Sequence, residues 1–217
     1  MELKPKFRGR IHQAAFYLTI SESVLYLVSW SLIKGNLGIC IYLLAQLILF
    51  GVSSTYHITE WKNERVEHFV RLLDHISIFL LISGTQTSVV LTLLPYNAYT
   101  KSILLVSWSI TTAGVLKIVL LRRPNHLFDT VVYILHGVSV IPFFKIMLDS
   151  LSLCDLIFII VGGVVYVLGG VVYGSRKPDP YPYIFGYHEV FHAATVLANY
   201  CFFVPLVKNY VWSLQAS

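Results

Sequence analysis

Apolar residues along this chain gather into long runs. Stretches of helix length cover about residues 13–33, 36–59, 70–94, 101–121, 127–147, 153–174 and 185–207. A helix needs roughly 20 predominantly apolar residues to cross a hydrocarbon core about 30 Å thick, and each run comes near that length. Helix breakers divide them: Gly35 after the first, Pro95 after the third, Pro124 after the fourth, and Pro178, Pro180 and Pro182 before the seventh. The pattern predicts an all-α, polytopic integral membrane protein of seven transmembrane helices joined by short connections.

Composition agrees with the pattern. Of 217 residues, 56% are hydrophobic and 12% charged, whereas a soluble domain carries roughly 25% charged residues. No polar stretch is long enough for an aqueous domain, and no low-complexity linker interrupts the chain. The expectation is one membrane domain over residues 1–217 with a short basic N-tail, 1–12. The N-tail resembles the basic start of a signal peptide, but the apolar segment after it is too long and lacks a small-residue cleavage site, which predicts an uncleaved tail. Cys40, Cys154 and Cys201 are odd in number and far apart, so neither a disulfide framework nor a paired-cysteine metal clip is expected.

Basic residues mark the cytoplasmic side of a membrane protein. The N-tail (Lys4, Lys6, Arg8, Arg10) and the second, fourth and sixth connections (Lys62, Arg65, Arg71; Lys117, Arg122, Arg123; Arg176, Lys177) hold twelve Lys and Arg. The other side holds four: Lys34, Lys101, Lys145 and Lys208. Seven spans with this asymmetry place the N-terminus in the cytoplasm and the C-terminus outside. The formal net charge of +5 is thereby explained by topology, with no reason to expect a nucleic-acid partner.

Titratable side chains at membrane depth are costly unless paired, hydrated or coordinated, and so are functional candidates. They fall in Ser53 to His57 on the second span, Asp74-His75 on the third, and His188-Glu189-Val190-Phe191-His192 on the seventh. Residues four apart share a helix face, so Ser53 with His57, and His188 with His192, each present two polar groups to one point. The second span runs inward and the third and seventh outward, which brings His57, Asp74 and His188 to one depth. Three neutral histidines with an open fourth position form the pattern of a catalytic zinc site. His75 points about 100° away from Asp74 and is expected to pack or hydrogen-bond. Glu22 lies deep in the first span and Asp129 at the start of the fifth, where a carboxylate favours the helix terminus. No role is read for His136. Tyr181, Tyr183, Tyr187 and Trp61 read as interfacial anchors, and Gly162, Gly163, Gly169, Gly170 and Gly174 as sites of close helix packing.

The segment from His188 to His192 also matches the HExxH helix of zinc proteases, in which the glutamate is the general base. Residues 193–217 contain no Asp, Glu or His to supply the later ligand that such proteases use. Taken together the motifs resemble the hemolysin III branch of the progestin and adipoQ receptor family, which includes the adiponectin receptors. The resemblance rests on Ser53 and His57, on Asp74 seventeen residues later within the stretch Leu73 to Gly84, on Gly169 to Tyr173, and on the final His188 and His192. It covers about residues 50–95 and 160–200. The first span does not clearly carry the family's Glu and His pattern, Gly137-Val138 stands where Gly-Trp is usual, and Cys201 where a histidine is common.

The resemblance implies seven helices, a cytoplasmic N-terminus and a Zn2+ ion near the cytoplasmic side, held by His57, His188 and His192. It implies that Asp74 holds the water at the metal and that Ser53 sits beside it as a hydrogen-bonding or oxyanion-stabilising group. Related membrane hydrolases include alkaline ceramidases, so the implied activity is hydrolysis of an amide or ester in a membrane lipid, and the implied location a bacterial inner (plasma) membrane. Two other classes compete with it. One is a cytolytic, pore-forming hemolysin, which sits poorly with a chain of seven apolar spans that has no soluble form. The other is a non-catalytic receptor or homeostasis factor with structural zinc and a lipid ligand.

Overall fold

The computed structural model describes residues 5–32, 35–121 and 125–215. Of the positions used above, Lys4, Lys34, Arg122, Arg123 and Pro124 lie outside the described residues. The elements are α1 (Arg10–Leu32), α2 (Leu37–Ile58), α3 (Glu64–Leu93), α4 (Ala98–Leu121), α5 (His126–Val138), a 3-10 turn (Ile141–Phe143), α6 (Phe144–Ser150), α7 (Leu153–Ser175) and α8 (Tyr187–Gln215). Seven stretches are long and apolar enough to cross a membrane, the fifth running from His126 through α6 to Ser150. No strand forms among the described residues, only an isolated bridge between Tyr181 and Phe185.

Several helices start where a side chain satisfies the free N–H groups of the first turn. The Asn36, Asn63 and Asn125 carboxamides and the Ser152 hydroxyl accept these bonds for α2, α3, α5 and α7. α2 packs along α3, α7 along α8, and α1 against α2 at the edge of the bundle.

The interior mixes apolar clusters with polar side chains, and the outer surface is largely apolar. Large side chains such as Leu25, Leu105 and Leu120 are 68–74% exposed. Every residue from Ser83 to Val90 on the central α3 is buried. The hydroxyls of Thr85, Thr87 and Ser88 donate to carbonyls four residues earlier, while Ser83 and Gln86 reach neighbouring helices. An outer surface this apolar suits hydrocarbon surroundings.

Three details depart from the apolar runs. α3 begins at Glu64, six residues before the expected boundary at 70, because its first two turns are charged but still helical. At 30 residues and 1.5 Å per residue it is about 45 Å long, so these turns project beyond a hydrocarbon core. The fifth span is broken: α5 stops at Val138 and a 3-10 turn containing Pro142 leads to α6, since proline lacks an N–H and restricts the residue before it. Gln86 Nε2 donates to His136 O (3.1 Å) and Ser139 Oγ to the same carbonyl (2.7 Å), covering the break. Finally, α8 runs through Pro205 to Gln215. There Lys208 pairs with Asp155 at 2.5 Å, and Asn209 Nδ2 donates to Asp155 Oδ2 and Pro205 O.

The expected small-residue packing holds between α7 and α8. A Cβ at Gly162 would lie 2.8 Å from the Phe202 ring and one at Gly169 2.9 Å from Ala194 Cβ, whereas Gly163 faces open space.

Candidate metal centre

The start of α1, the end of α2, the start of α3 and the start of α8 meet at one end of the bundle. His57 lies in the last turn of α2, and His188 and His192 in the first two turns of α8. One nitrogen from each of these three histidines lies within 4.8 Å of the other two. His57 Nε2 and His188 Nε2 are 3.1 Å apart, close to the ~3.3 Å separating two nitrogens on a tetrahedral zinc with Zn–N bonds of 2.0–2.1 Å. His188 and His192 are buried, and the His57 side chain is 10% exposed. Nδ1 of His192 is buried with no hydrogen-bond partner among the described residues. A donor set of three imidazoles, convergent and screened from water, fits a metal ion.

Asp74 comes from the third turn of α3, its Oδ2 3.7 Å from His57 Nε2. Ser53, buried one turn above His57, hydrogen-bonds the Asp74 carboxylate. A cavity of about 260 Å³ adjoins this group. Its walls are Tyr56 and His57 from α2, the stripe Glu67, Arg71, Asp74 and His75 from α3, Tyr173 from α7, His188 from α8, and Arg8 from the tail. His192 is not among the cavity's walls. All five residues expected at the site are thus brought together.

The glutamate of the HExxH match points elsewhere. Glu189 is fully buried, accepts the N–H of Gly186 through Oε2 (2.8 Å) and pairs through Oε1 with Arg8 Nε (2.6 Å). It therefore closes the first turn of α8 and anchors the N-tail. Backbone bonds from Lys6 and Phe7 to the carbonyls of Tyr183 and Ile184 reinforce that anchor. Gly9, at φ +76°, passes so close to His57 that a Cβ there would sit 2.8 Å from the His57 Cβ.

One residue at this centre escaped the sequence reading. His12, 2% exposed, stacks on His192. Its signal was its place in the first turn of an apolar span, at the end where the other histidines gather. The remaining polar residues have separate partners. His75 Nδ1 meets the Tyr133 hydroxyl at 3.2 Å, and Glu22 accepts from Tyr200 OH at 3.2 Å. Asp129 accepts the Asn125 N–H and pairs with Lys117. His136 Nε2 meets Ser83 and Ser107 at 3.3 and 3.2 Å.

Comparison with known proteins now identifies the chain. The profile of the family described as Haemolysin-III related matches residues 2–203. Three similar proteins are the Hemolysin-3 homolog of Bacillus subtilis (26% identical over 63% of this chain and 63% of the relative), Hemolysin-3 of Bacillus cereus (25%; 63% and 61%) and the ADIPOR-like receptor IZH2 of Saccharomyces cerevisiae (26%; 73% and 55%). The chain thus covers less than two thirds of each relative's length. It belongs to the Haemolysin-III related family of integral membrane proteins, with kinship to adiponectin receptor-like proteins.

Proposed function

We propose that this member of the family is a zinc-dependent hydrolase of an amide or ester bond in a membrane lipid, with the ion held by His57, His188 and His192. The observation that carries the reading is the convergence of three histidine nitrogens beside a carboxylate at the wall of a cavity. Zinc held there would lower the pKa of bound water to about 7 and would polarise a carbonyl.

The remaining work belongs to the chain. Asp74 is placed to take a proton from a water molecule in the cavity and return it to the departing amine or alcohol. The Ser53 hydroxyl holds that carboxylate in one orientation, which makes Ser53 a positioning group for Asp74. Tyr173 packs edge-on against His188, ring centroids 5.4 Å apart, and limits the swing of that ligand. The excess of basic residues at this end of the bundle supports a cytoplasmic position for the site. Two Bacillus relatives favour a bacterial plasma membrane.

The test is metal content by plasma mass spectrometry on detergent-purified protein, followed by turnover of ceramides and other acyl lipids with and without chelator. About one zinc per chain, lost from a His188→Ala, His192→Ala double variant, with chelator-sensitive hydrolysis, is the expected result. Zinc that raises thermal stability without turnover of any acyl lipid would give the ion a structural role instead.

A further inference from the structure

The α3 wall of the cavity is one helical stripe, Glu67, Arg71, Asp74 and His75. Asp74 is engaged with Ser53, and Arg8 across the mouth is paired with Glu189. Arg71 has no such engagement. Among the described residues no carboxylate lies within ion-pair distance of it. Its Nη2 meets His68 Nδ1 at 2.9 Å, and its Nε is buried without an acceptor. A buried guanidinium N–H is costly to leave unpaired, and guanidinium groups favour oxyanions that take parallel N–H bonds.

Size and position narrow the ligand. At about 260 Å³ the cavity is below the roughly 300–1,000 Å³ of ordinary small-molecule sites, and its walls are polar. It suits a head group and leaves acyl chains in the hydrocarbon outside. Arg71 precedes Asp74 by three residues on α3, about 4.5 Å along the helix axis towards its start, so it stands off from the histidines and meets the head rather than a carboxylate released there. We propose that this cavity is the head-group site for a phosphate-bearing lipid, with Arg71 as its donor. The proposal rests on the hydrolase reading only in taking the bound lipid as a substrate; the binding itself needs the cavity and Arg71 alone.

The test is calorimetric binding to the full-length, zinc-loaded protein in detergent. The probes are dihexanoyl phosphatidic acid, its neutral counterpart dihexanoylglycerol, and glycerol 3-phosphate. Wild type should bind the phosphate-bearing lipid about tenfold tighter than the neutral one, the size expected of a charge-assisted hydrogen bond. Arg71→Gln should lose that preference at unchanged zinc content, and Arg71→Lys should keep part of it. Equal affinities in wild type, or a preference that survives Arg71→Gln, would overturn the proposal. The wild-type comparison decides even if the glutamine variant fails to fold. Glycerol 3-phosphate binding as tightly as the lipid would also overturn it, by assigning the site to a free phosphate compound. In protein prepared without zinc, the same preference would persist if the hydrolase reading failed and this one held. Turnover of neutral lipids with no phosphate preference would show the reverse.

Discussion

The imidazoles of His12 and His192 lie face to face, ring centroids 3.7 Å apart and planes 11° from parallel. His192 belongs to the candidate ligand set and His12 does not, so the stack fixes the orientation of a ligand from a different helix. It also couples α1, most of whose surface faces outward, to the interior.

Residues that orient a metal ligand typically contribute 10–100-fold to affinity. His12→Ala should therefore weaken zinc binding by about tenfold in a chelator competition, while His12→Phe, which keeps a stacking ring, should recover most of it. Unchanged affinity in the alanine variant would reduce the stack to ordinary packing.

Asp74→Asn keeps the shape of the side chain and removes its basicity. Zinc content should stay close to wild type and lipid turnover should vanish. Ser53→Ala should lower turnover less, about 10-fold to 100-fold, because it loosens the carboxylate without removing it. Full activity in Asp74→Asn would end the role assigned to it.

Glu189 separates two chemistries. As the acceptor for Arg8 and Gly186 it is structural, so Glu189→Ala should cost about 1.5–3 kcal/mol in reversible unfolding, the range for hydrogen bonds to charged groups. Glu189→Gln, which keeps an acceptor, should cost less and leave turnover intact once folded. A zinc protease of the HExxH type would instead lose turnover with Gln and keep its stability.

Orientation is open to a direct chemical check. Cys154 is exposed at the start of α7, at the end of the bundle opposite the histidines. In a variant with Cys40 and Cys201 changed to Ser, a membrane-impermeant maleimide should label Cys154 from outside intact cells. Protection there, with labelling only after lysis, would invert the topology.

The seven spans were legible in the sequence because a bilayer demands long apolar runs, and the site because His57, His188, His192 and Asp74 are costly there without a purpose. What stayed hidden depended on tertiary partners. The break in the fifth span is tolerable only because Gln86 and Ser139 reach the His136 carbonyl, and no local pattern reports that. The HExxH match already lacked a later ligand in the sequence, but the work Glu189 does instead showed only once Arg8, 181 residues earlier, supplied its partner. His12 drew no reading at all, because a stack with His192 leaves no mark in spacing.

Residues 6–9 are tied down on three sides, by the 183–184 carbonyls, by Glu189 and by the close pass of Gly9 over His57. This has a practical side for anyone handling the protein. A fluorescent fusion or affinity tag on the amino end would tug on a strap that touches a ligand, and loss of metal in such a preparation would be an artefact of its engineering. The carboxyl end of α8, a full helix length away from the histidines, is where a reporter should go.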